Sequence, residues 1–157
     1  MVNGKFLGAN AAHFERSVDG EYEIFTLIEN GQEVGSNKLA KSPIHEPALA
    51  NLFPNVLVAY QLFVVEAHRG RGLASLLMDA VEQAARDKGA ARLLLGVVVE
   101  NVIARGLYER RGYEYLEVDG NQTVDSVWNI KNENGKQIQE IVQVMPMMLH
   151  LKQNEED

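Results

Sequence analysis

The stretch "VVEAHRGRGLASLLMDAVEQAARDKG", residues 64–89, decides the fold. Its second half carries apolar residues from Leu73 to Ala84 at steps of three and four, which places them on one face of a helix. Gly89 is a typical residue at a helix end. The apolar run at residues 56–65, which overlaps the start of this stretch, predicts a strand buried on both faces. Two arginines and two glycines therefore lie in the turn between a strand and a helix.

The same order repeats further along the chain. Residues 91–99, "ARLLLGVVV", predict a second buried strand. A shorter helix is expected over residues 102–110, with Asn101 as its N-terminal cap and Gly112 at its end. The centre of the chain thus reads as strand, helix, strand, helix.

Extended segments are predicted on both sides of this central unit. Asn30-Gly31 and Asn134-Gly135 each lie between extended runs, and this dipeptide favours a tight hairpin turn. Residues 41–55 contain three prolines and predict a loop with one helical turn. A short helix is expected over residues 9–16.

These elements predict the fold class α/β (α+β), with a mixed, mostly antiparallel central sheet flanked by helices. The chain has 157 residues, which suits one domain, expected at residues 1–152. Residues 153–157 are expected to form a frayed acidic tail.

Composition narrows the class of protein. The chain contains no cysteine, so disulfides, thiolate metal sites and a cysteine acyl-enzyme are excluded, and no metal is expected. Its formal net charge of −7 argues against general nucleic-acid binding. The longest apolar run is far shorter than the ~20 residues that span a bilayer. We find no secretory signal, so we expect a cytoplasmic protein without a membrane partner.

The turn between strand and helix suits an anion. A helix N-terminus presents unpaired N–H groups, and Gly70 and Gly72 let a phosphate approach the backbone. Arg69 and Arg71 can add charge-assisted contacts. The turn lacks the lysine–serine ending of a P-loop and the third glycine of a dinucleotide fingerprint. A tight turn with solvated arginines is the alternative.

Two motifs in order carry a resemblance. The first is Arg69-x-x-Gly72-x-Ala74, and the second is "NVIARGLYERRGY", residues 101–113. Together they resemble the GNAT superfamily of N-acetyltransferases. The resemblance implies acetyl-CoA as co-substrate and two central strands that splay apart at the acetyl-CoA site. It also implies direct transfer of the acetyl group to a primary amine of a small molecule or peptide.

The resemblance also implies roles for particular residues. Tyr108 would act as general acid to the departing CoA thiolate, although it could be only a packed aromatic. The Val64 amide would polarise the thioester carbonyl. Asn101 could be a helix cap, a cofactor contact or both. The residues implied in cofactor binding are Leu62, Phe63, Val64, Arg69, Gly70, Arg71, Gly72, Leu73, Ala74, Ser75, Asn101 and Ala104.

The amine must lose a proton before it attacks, which calls for a base near the cleft. Glu100, just before Asn101, is ranked slightly above Glu66, and His68 is a weaker candidate. The N-terminal part is shorter than is usual in the superfamily. The proline-bounded loop could therefore supply part of the acceptor pocket, with His45 and Glu46 as candidates.

Two alternatives to the enzyme stay open at this point. One is a non-catalytic acyl-CoA-binding or sensor module on the same fold. The other is a structural or partner-binding domain in which the methionine-rich segment "VQVMPMMLHL" mediates a homodimer, although methionines of this kind more often fill a core. An intact loop together with Tyr108 favours the enzyme.

Overall fold

The structure is a computed structural model that describes residues 12–50 and 56–151. These ranges form one sheet of eight strands with two α-helices. The strands are β1 (His13–Asp19), β2 (Tyr22–Glu29), β3 (Gln32–Ala40), β4 (Val56–Val64), β5 (Arg92–Val97), β6 (Glu114–Tyr115), β7 (Val124–Lys131) and β8 (Gln137–His150). The helices are α1 (Leu73–Asp87) and α2 (Val102–Arg110).

The sheet has the order β1-β2-β3-β4-β5-β8-β6, and β7 pairs with β8. All neighbouring strands are antiparallel except β4 and β5, which are parallel. That parallel pairing covers only residues 56–58 and 92–94, after which the two strands separate. The mixed, mostly antiparallel sheet and the splayed central strands confirm the predicted fold class.

A β-bulge marks the point where β4 leaves β5. Ser36 pairs with Phe63, but Lys38 pairs with Tyr60, so the register between β3 and β4 shifts by one residue between these two pairs. Gln61 in this interval has a φ of 55°, a left-handed conformation that few residues other than glycine adopt. A bulge bends its strand and increases the local twist. It therefore turns the end of β4 away from β5 and opens a cleft in the sheet.

The two faces of the sheet are covered differently. Along β4, Leu57 and Ala59 face the larger core, which the apolar sides of α1 and α2 complete. Val58 and Tyr60 alternate with them and face a second, smaller cluster that includes Trp128. The cleft therefore lies between two faces of the sheet, one covered by helices and the other by loops and β7.

The predicted helix over residues 9–16 is wrong where the structure describes it, because residues 13–16 belong to β1. Residues 9–11 lie outside the described ranges. Within β1, Phe14 is buried and Arg16, two positions later, is partly buried, and Gly20 supplies the positive φ for a two-residue turn into β2. A glycine at the first position of such a turn is itself a hairpin signal, which the weak helical pattern obscured.

The other predicted elements are confirmed. Asn30-Gly31 connects β2 to β3, and Gly135 lies in the turn from β7 to β8. The one helical turn in the proline-rich loop is a 3-10 helix at Pro47–Leu49. The expected acidic tail lies outside the described residues. Among the residues that are described, no helix is both long and apolar enough to cross a membrane.

Candidate active site

A cavity of about 210 Å³ lies where β4 and β5 separate. Four residues that the sequence assigned to the site line it, namely Leu62, Asn101, Ala104 and Tyr108. The lining also includes Asn37, Glu46, Tyr60, Ser126 and Trp128, of which only Glu46 was a candidate from sequence. Residues of β4, β5 and α2 thus line the cavity together with residues of the loop before β4 and of β7.

The arginine–glycine turn forms an open helix N-terminus beside the end of β4. Gly70 and Gly72 have φ values of 80° and 82°, and a Cβ added to either would meet nothing within 4 Å. No side chain caps α1. Its first backbone hydrogen bond runs from the Leu76 N–H to the Gly72 carbonyl, so the three N–H groups of the first turn have no helical acceptor. Those three donors belong to Leu73, Ala74 and Ser75.

Both arginines of the turn are engaged by the protein itself. The Arg69 Nε donates to the Val64 carbonyl oxygen at 2.8 Å. Arg71 donates two hydrogen bonds to Glu29, at 2.9 and 2.6 Å. The hydrogen bonds from Arg71 lower the pKa of the Glu29 carboxyl. The turn therefore offers an anion its main-chain N–H groups more readily than its guanidinium groups.

The strand that leads to the turn divides between the cleft and the surface. Leu62 lines the cavity, whereas Phe63 is 49% exposed and Val64 is buried in the core. Phe63 and Val64 pair with Ser36 and Gly35 of β3. A Cβ on Gly35 would lie 2.8 Å from the Phe63 carbonyl oxygen, so only glycine allows β3 to approach this closely.

Asn101 is the N-terminal cap of α2, one of the two roles predicted for it. Its Oδ1 accepts a hydrogen bond from the Ala104 N–H at 3.2 Å, which caps α2. The same residue lines the cavity, as does Ala104. The cap occupies the side-chain oxygen and leaves the amide N–H groups of Asn101 able to donate to a ligand in the cleft.

Tyr108 projects from α2 into the same cavity. It is 7% exposed, and its ring lies 5.6 Å from that of Tyr113. Burial raises the pKa of the Tyr108 hydroxyl to about 12. Within the described residues no side chain binds that hydroxyl, so its proton can be donated to a molecule in the cleft.

The end of α2 is fastened to α1 by a buried polar cluster that the sequence did not reveal. Glu82, which is 5% exposed, accepts hydrogen bonds from Arg111 at 2.8 and 3.0 Å and from the Tyr113 hydroxyl at 2.8 Å. Arg111 also donates to Asp79. Burial, together with the charge of Glu82, raises the pKa of Tyr113 well above its usual range. The cluster fixes the helix that carries Tyr108.

Neither carboxylate proposed from sequence as the base lines the cavity. Glu66 is exposed in a 3-10 turn, and Glu100 is exposed in the turn before α2. His68 lies with Glu29 and Arg71, beside the arginine–glycine turn. Glu66 and Glu100 follow the ends of β4 and β5, the two strands that border the cleft, but their side chains reach solvent.

Glu46 is the carboxylate that the structure brings into the cavity. It is 3% exposed and accepts hydrogen bonds from the Tyr60 hydroxyl at 2.5 Å and from the Ser126 hydroxyl at 2.7 Å. Burial and the nearby Glu46 raise the pKa of Tyr60, so that residue remains a donor. The alternation of residues in β4 and β7 can predict which face of the sheet Tyr60 and Ser126 occupy. No local sequence pattern predicts that both of them bind Glu46.

A model of the acetyltransferase (GNAT) family matches residues 6–113. The chain belongs to this family. It is 34% identical over 102 residues to an uncharacterized N-acetyltransferase, YdgE, of Bacillus subtilis, an alignment that covers 64% of this chain and 60% of that protein. The matched part is therefore less than two thirds of the relative's length.

Solved structures show the same fold. An IAA acetyltransferase from Bacillus cereus superposes with a TM-score of 0.59 and 16% identity, covering 84% of this chain and 79% of that one. YncA, a putative acetyltransferase from Salmonella typhimurium solved with acetyl-CoA, superposes with a TM-score of 0.58 and 18% identity, covering 87% and 68%.

Proposed function

We propose that the protein is an acetyl-CoA-dependent N-acetyltransferase that transfers an acetyl group directly to a primary amine. One observation carries the proposal. A cavity between the splayed strands is lined by Tyr108 and Asn101, and by Met78 of α1, the helix whose N-terminus has no side-chain cap. Family membership and a structural neighbour solved with acetyl-CoA support the choice of co-substrate.

The cofactor end fits a pyrophosphate. The N–H groups of Leu73, Ala74 and Ser75 have no helical acceptor, and the space beside Gly70 and Gly72 is open. A helix N-terminus of this kind binds phosphate through its N–H groups and its dipole. Acetyl-CoA would supply the activated acetyl group, with Leu62, Phe63 and Val64 along its pantetheine arm. Arg69 and Arg71 would shape the turn by their hydrogen bonds to the Val64 carbonyl and to Glu29.

Tyr108 is the proposed general acid. Because its pKa is raised to about 12, the hydroxyl stays protonated at physiological pH and can give its proton to the thiolate sulfur. Asn101 would donate an amide N–H to the pantetheine, and Ala104 would pack against it. The Val64 amide remains the proposed oxyanion donor. Cytoplasmic location, a homodimer and the lack of a metal stay predictions.

The alternative of a non-catalytic acyl-CoA sensor predicts binding without turnover. Calorimetry with acetyl-CoA and the release of free thiol separate the two functions. The amine panel for thiol release would contain polyamines, aminoglycosides, amino acids and peptides. We expect acetyl-CoA to bind and thiol to appear with one class of amine. Tight binding with no thiol release above the amine-free rate across the panel would favour the sensor. No acetyl-CoA binding would overturn both.

A further inference from the structure

The part of the cavity that contains Glu46 has a charge of one sign. Among the described residues that line it, Glu46 is the only charged side chain. Lys38, a nearby cation, lies over the Tyr22 ring and does not line the cavity. A buried negative charge without a cationic neighbour in the cavity favours a ligand that brings a positive charge.

Glu46 has room for such a ligand. A carboxylate has about four lone-pair sites, and the hydroxyl groups of Tyr60 and Ser126 occupy one on each oxygen. These two donors hold the carboxylate in one orientation. They come from β4 and β7, on two sides of the loop that carries Glu46. The remaining sites can accept hydrogen bonds from an ammonium group.

Asn37 adds a second unfilled acceptor. It is 1% exposed, lines the cavity, and its Nδ2 donates to the Leu77 carbonyl at 2.9 Å. That bond fixes the orientation of the amide, because a carbonyl can only accept. The Oδ1 is buried and has no partner among the described residues. An unpaired acceptor therefore lies in the wall of the cavity, in addition to the open lone-pair sites of Glu46.

The Tyr60 hydroxyl that binds Glu46 belongs to a cluster of aromatic rings. His45 stacks on Trp128 at 4.2 Å, and Tyr60 meets Trp128 edge to face at 5.8 Å. The His45 Nδ1 lies 2.8 Å from the Val127 carbonyl oxygen, so that nitrogen carries the proton, and the Tyr22 hydroxyl donates to Nε2. Of these rings, Tyr60 and Trp128 line the cavity. Aromatic faces attract alkylammonium groups and pack against apolar groups.

We propose that Glu46 binds the ammonium group of the acceptor, and that the acceptor is a compact primary amine with an apolar or aromatic group and no carboxylate beside the nitrogen. The inference rests on the proposed function. A carboxylate beside the nitrogen would face the Glu46 charge, and none of the described residues that line the cavity is a cation that could offset it. A volume of about 210 Å³ is below the ~300–1,000 Å³ of pockets for drug-sized ligands, which favours a compact acceptor.

The reaction balances with these residues. One ammonium proton passes to Glu46, and the nitrogen lone pair forms a bond to the acetyl carbon as the carbon–sulfur bond breaks. The electron pair of that bond leaves on sulfur, which takes the Tyr108 proton. Tyr108 regains a proton from the second nitrogen hydrogen by way of water. Glu46 releases its proton to solvent, so the products are the acetamide, free coenzyme A and one proton.

Trp128 is the chain's single tryptophan, so its fluorescence reports binding at this end without turnover. Four probes separate the parts of the proposal: phenylethylamine, phenylalaninol, phenylalanine and phenylethanol. Each is titrated with and without saturating coenzyme A. We expect the first two to change the emission and saturate. Phenylalanine, which carries the carboxylate, and phenylethanol, which lacks the ammonium, should bind at least about tenfold more weakly.

Glu46→Gln keeps the shape of the side chain and removes its charge, and Glu33→Gln, an exposed change on β3, is the matched control. We expect Glu46→Gln to weaken phenylethylamine at least about tenfold and the control to leave it unchanged. Equal binding of phenylalanine and phenylalaninol, equal binding of phenylethanol and phenylethylamine, no response to any probe, or an unaffected Glu46→Gln variant would each overturn the proposal. The comparison of probes on the unmodified protein stands even if the variant does not fold. Calorimetry with acetyl-CoA tests the proposed function separately.

Discussion

The two ends of the cleft between β4 and β5 are built in opposite ways. The end proposed for the cofactor is a contiguous turn and helix start, and its donors are main-chain N–H groups of residues 73–75. The end proposed for the acceptor gathers side chains from the loop before β4, from β4 and from β7, and Glu46 accepts from residues 14 and 80 positions away. A site built from one contiguous segment suits a cofactor that a whole family shares. A site built from several separate segments can change by substitution to take another acceptor, without altering the cofactor site.

The largest effect should come from Tyr108→Phe, at the junction of the two ends. Loss of the hydroxyl removes the proposed general acid, so kcat should fall by about 100-fold. Acetyl-CoA affinity and the Trp128 response to phenylethylamine should stay within about twofold. The measurement is thiol release under saturation, with Tyr115→Phe, an exposed tyrosine, as control. An unchanged kcat would remove Tyr108 from the chemistry.

Gly72→Ala tests the cofactor end alone. At a φ of 82° a Cβ costs about 1–2 kcal/mol, and here it would point into the space proposed for the pyrophosphate. We expect acetyl-CoA to bind about tenfold more weakly in calorimetry, while phenylethylamine still changes the Trp128 emission.

The matched control is Gly20→Ala, since Gly20 has a φ of 61° and equally open space in the turn between β1 and β2. Similar backbone strain there should lower stability without changing acetyl-CoA affinity. If both variants bind acetyl-CoA equally well, the pyrophosphate does not lie beside Gly72.

Ser126→Ala tests the acceptor end through a positioning residue. It removes one of the two donors that orient Glu46, so the KM for the amine should rise by about fivefold. The kcat at saturating amine and the KM for acetyl-CoA should change little. Ser126→Thr keeps the hydroxyl and should restore the KM, whereas a fall in stability alone would leave both constants unchanged.

Arg71→Gln should have a small effect on the cofactor. Because Arg71 is already paired with Glu29, its loss should change acetyl-CoA affinity by less than about threefold. A loss of more than about tenfold in calorimetry would show that the guanidinium leaves Glu29 to bind phosphate. The contrast between the two ends would then be weaker, since both would depend on side-chain charge.

The pH profile should show no effect of Tyr108 deprotonation. A general acid is active while protonated, and the raised pKa of about 12 keeps this hydroxyl protonated through the assay range. Because Glu46 is proposed to bind the ammonium form, kcat/KM should descend only where the free amine loses its proton, at about pH 10 for an alkylamine, and this limb should be the same in Tyr108→Phe. A descending limb that disappears in Tyr108→Phe would place the Tyr108 pKa lower than the structure indicates.

The sequence predicted the fold, and with it the turn and helix start proposed for the cofactor, because these depend on local patterns. Helical spacing defined α1, and Asn101 marked the start of α2. The prediction failed for β1, where a weak helical pattern hid the turn at Gly20-Glu21. The acceptor end was only partly foreseen: Glu46 was a candidate, but nothing in the sequence reveals that the Tyr60 and Ser126 hydroxyl groups converge on it. Glu66 and Glu100 were chosen by their positions at strand ends, which do not determine side-chain burial.

The most direct test of a cleft with two separate ends is a crystal structure of the protein with coenzyme A and phenylethylamine. We expect the pyrophosphate on the N–H groups of residues 73–75 and the amine nitrogen within hydrogen-bond distance of a Glu46 carboxylate oxygen. The sulfur should lie between them, within reach of the Tyr108 hydroxyl. A pyrophosphate away from the start of α1, or an amine that binds outside the cavity between β4 and β5, would contradict the account.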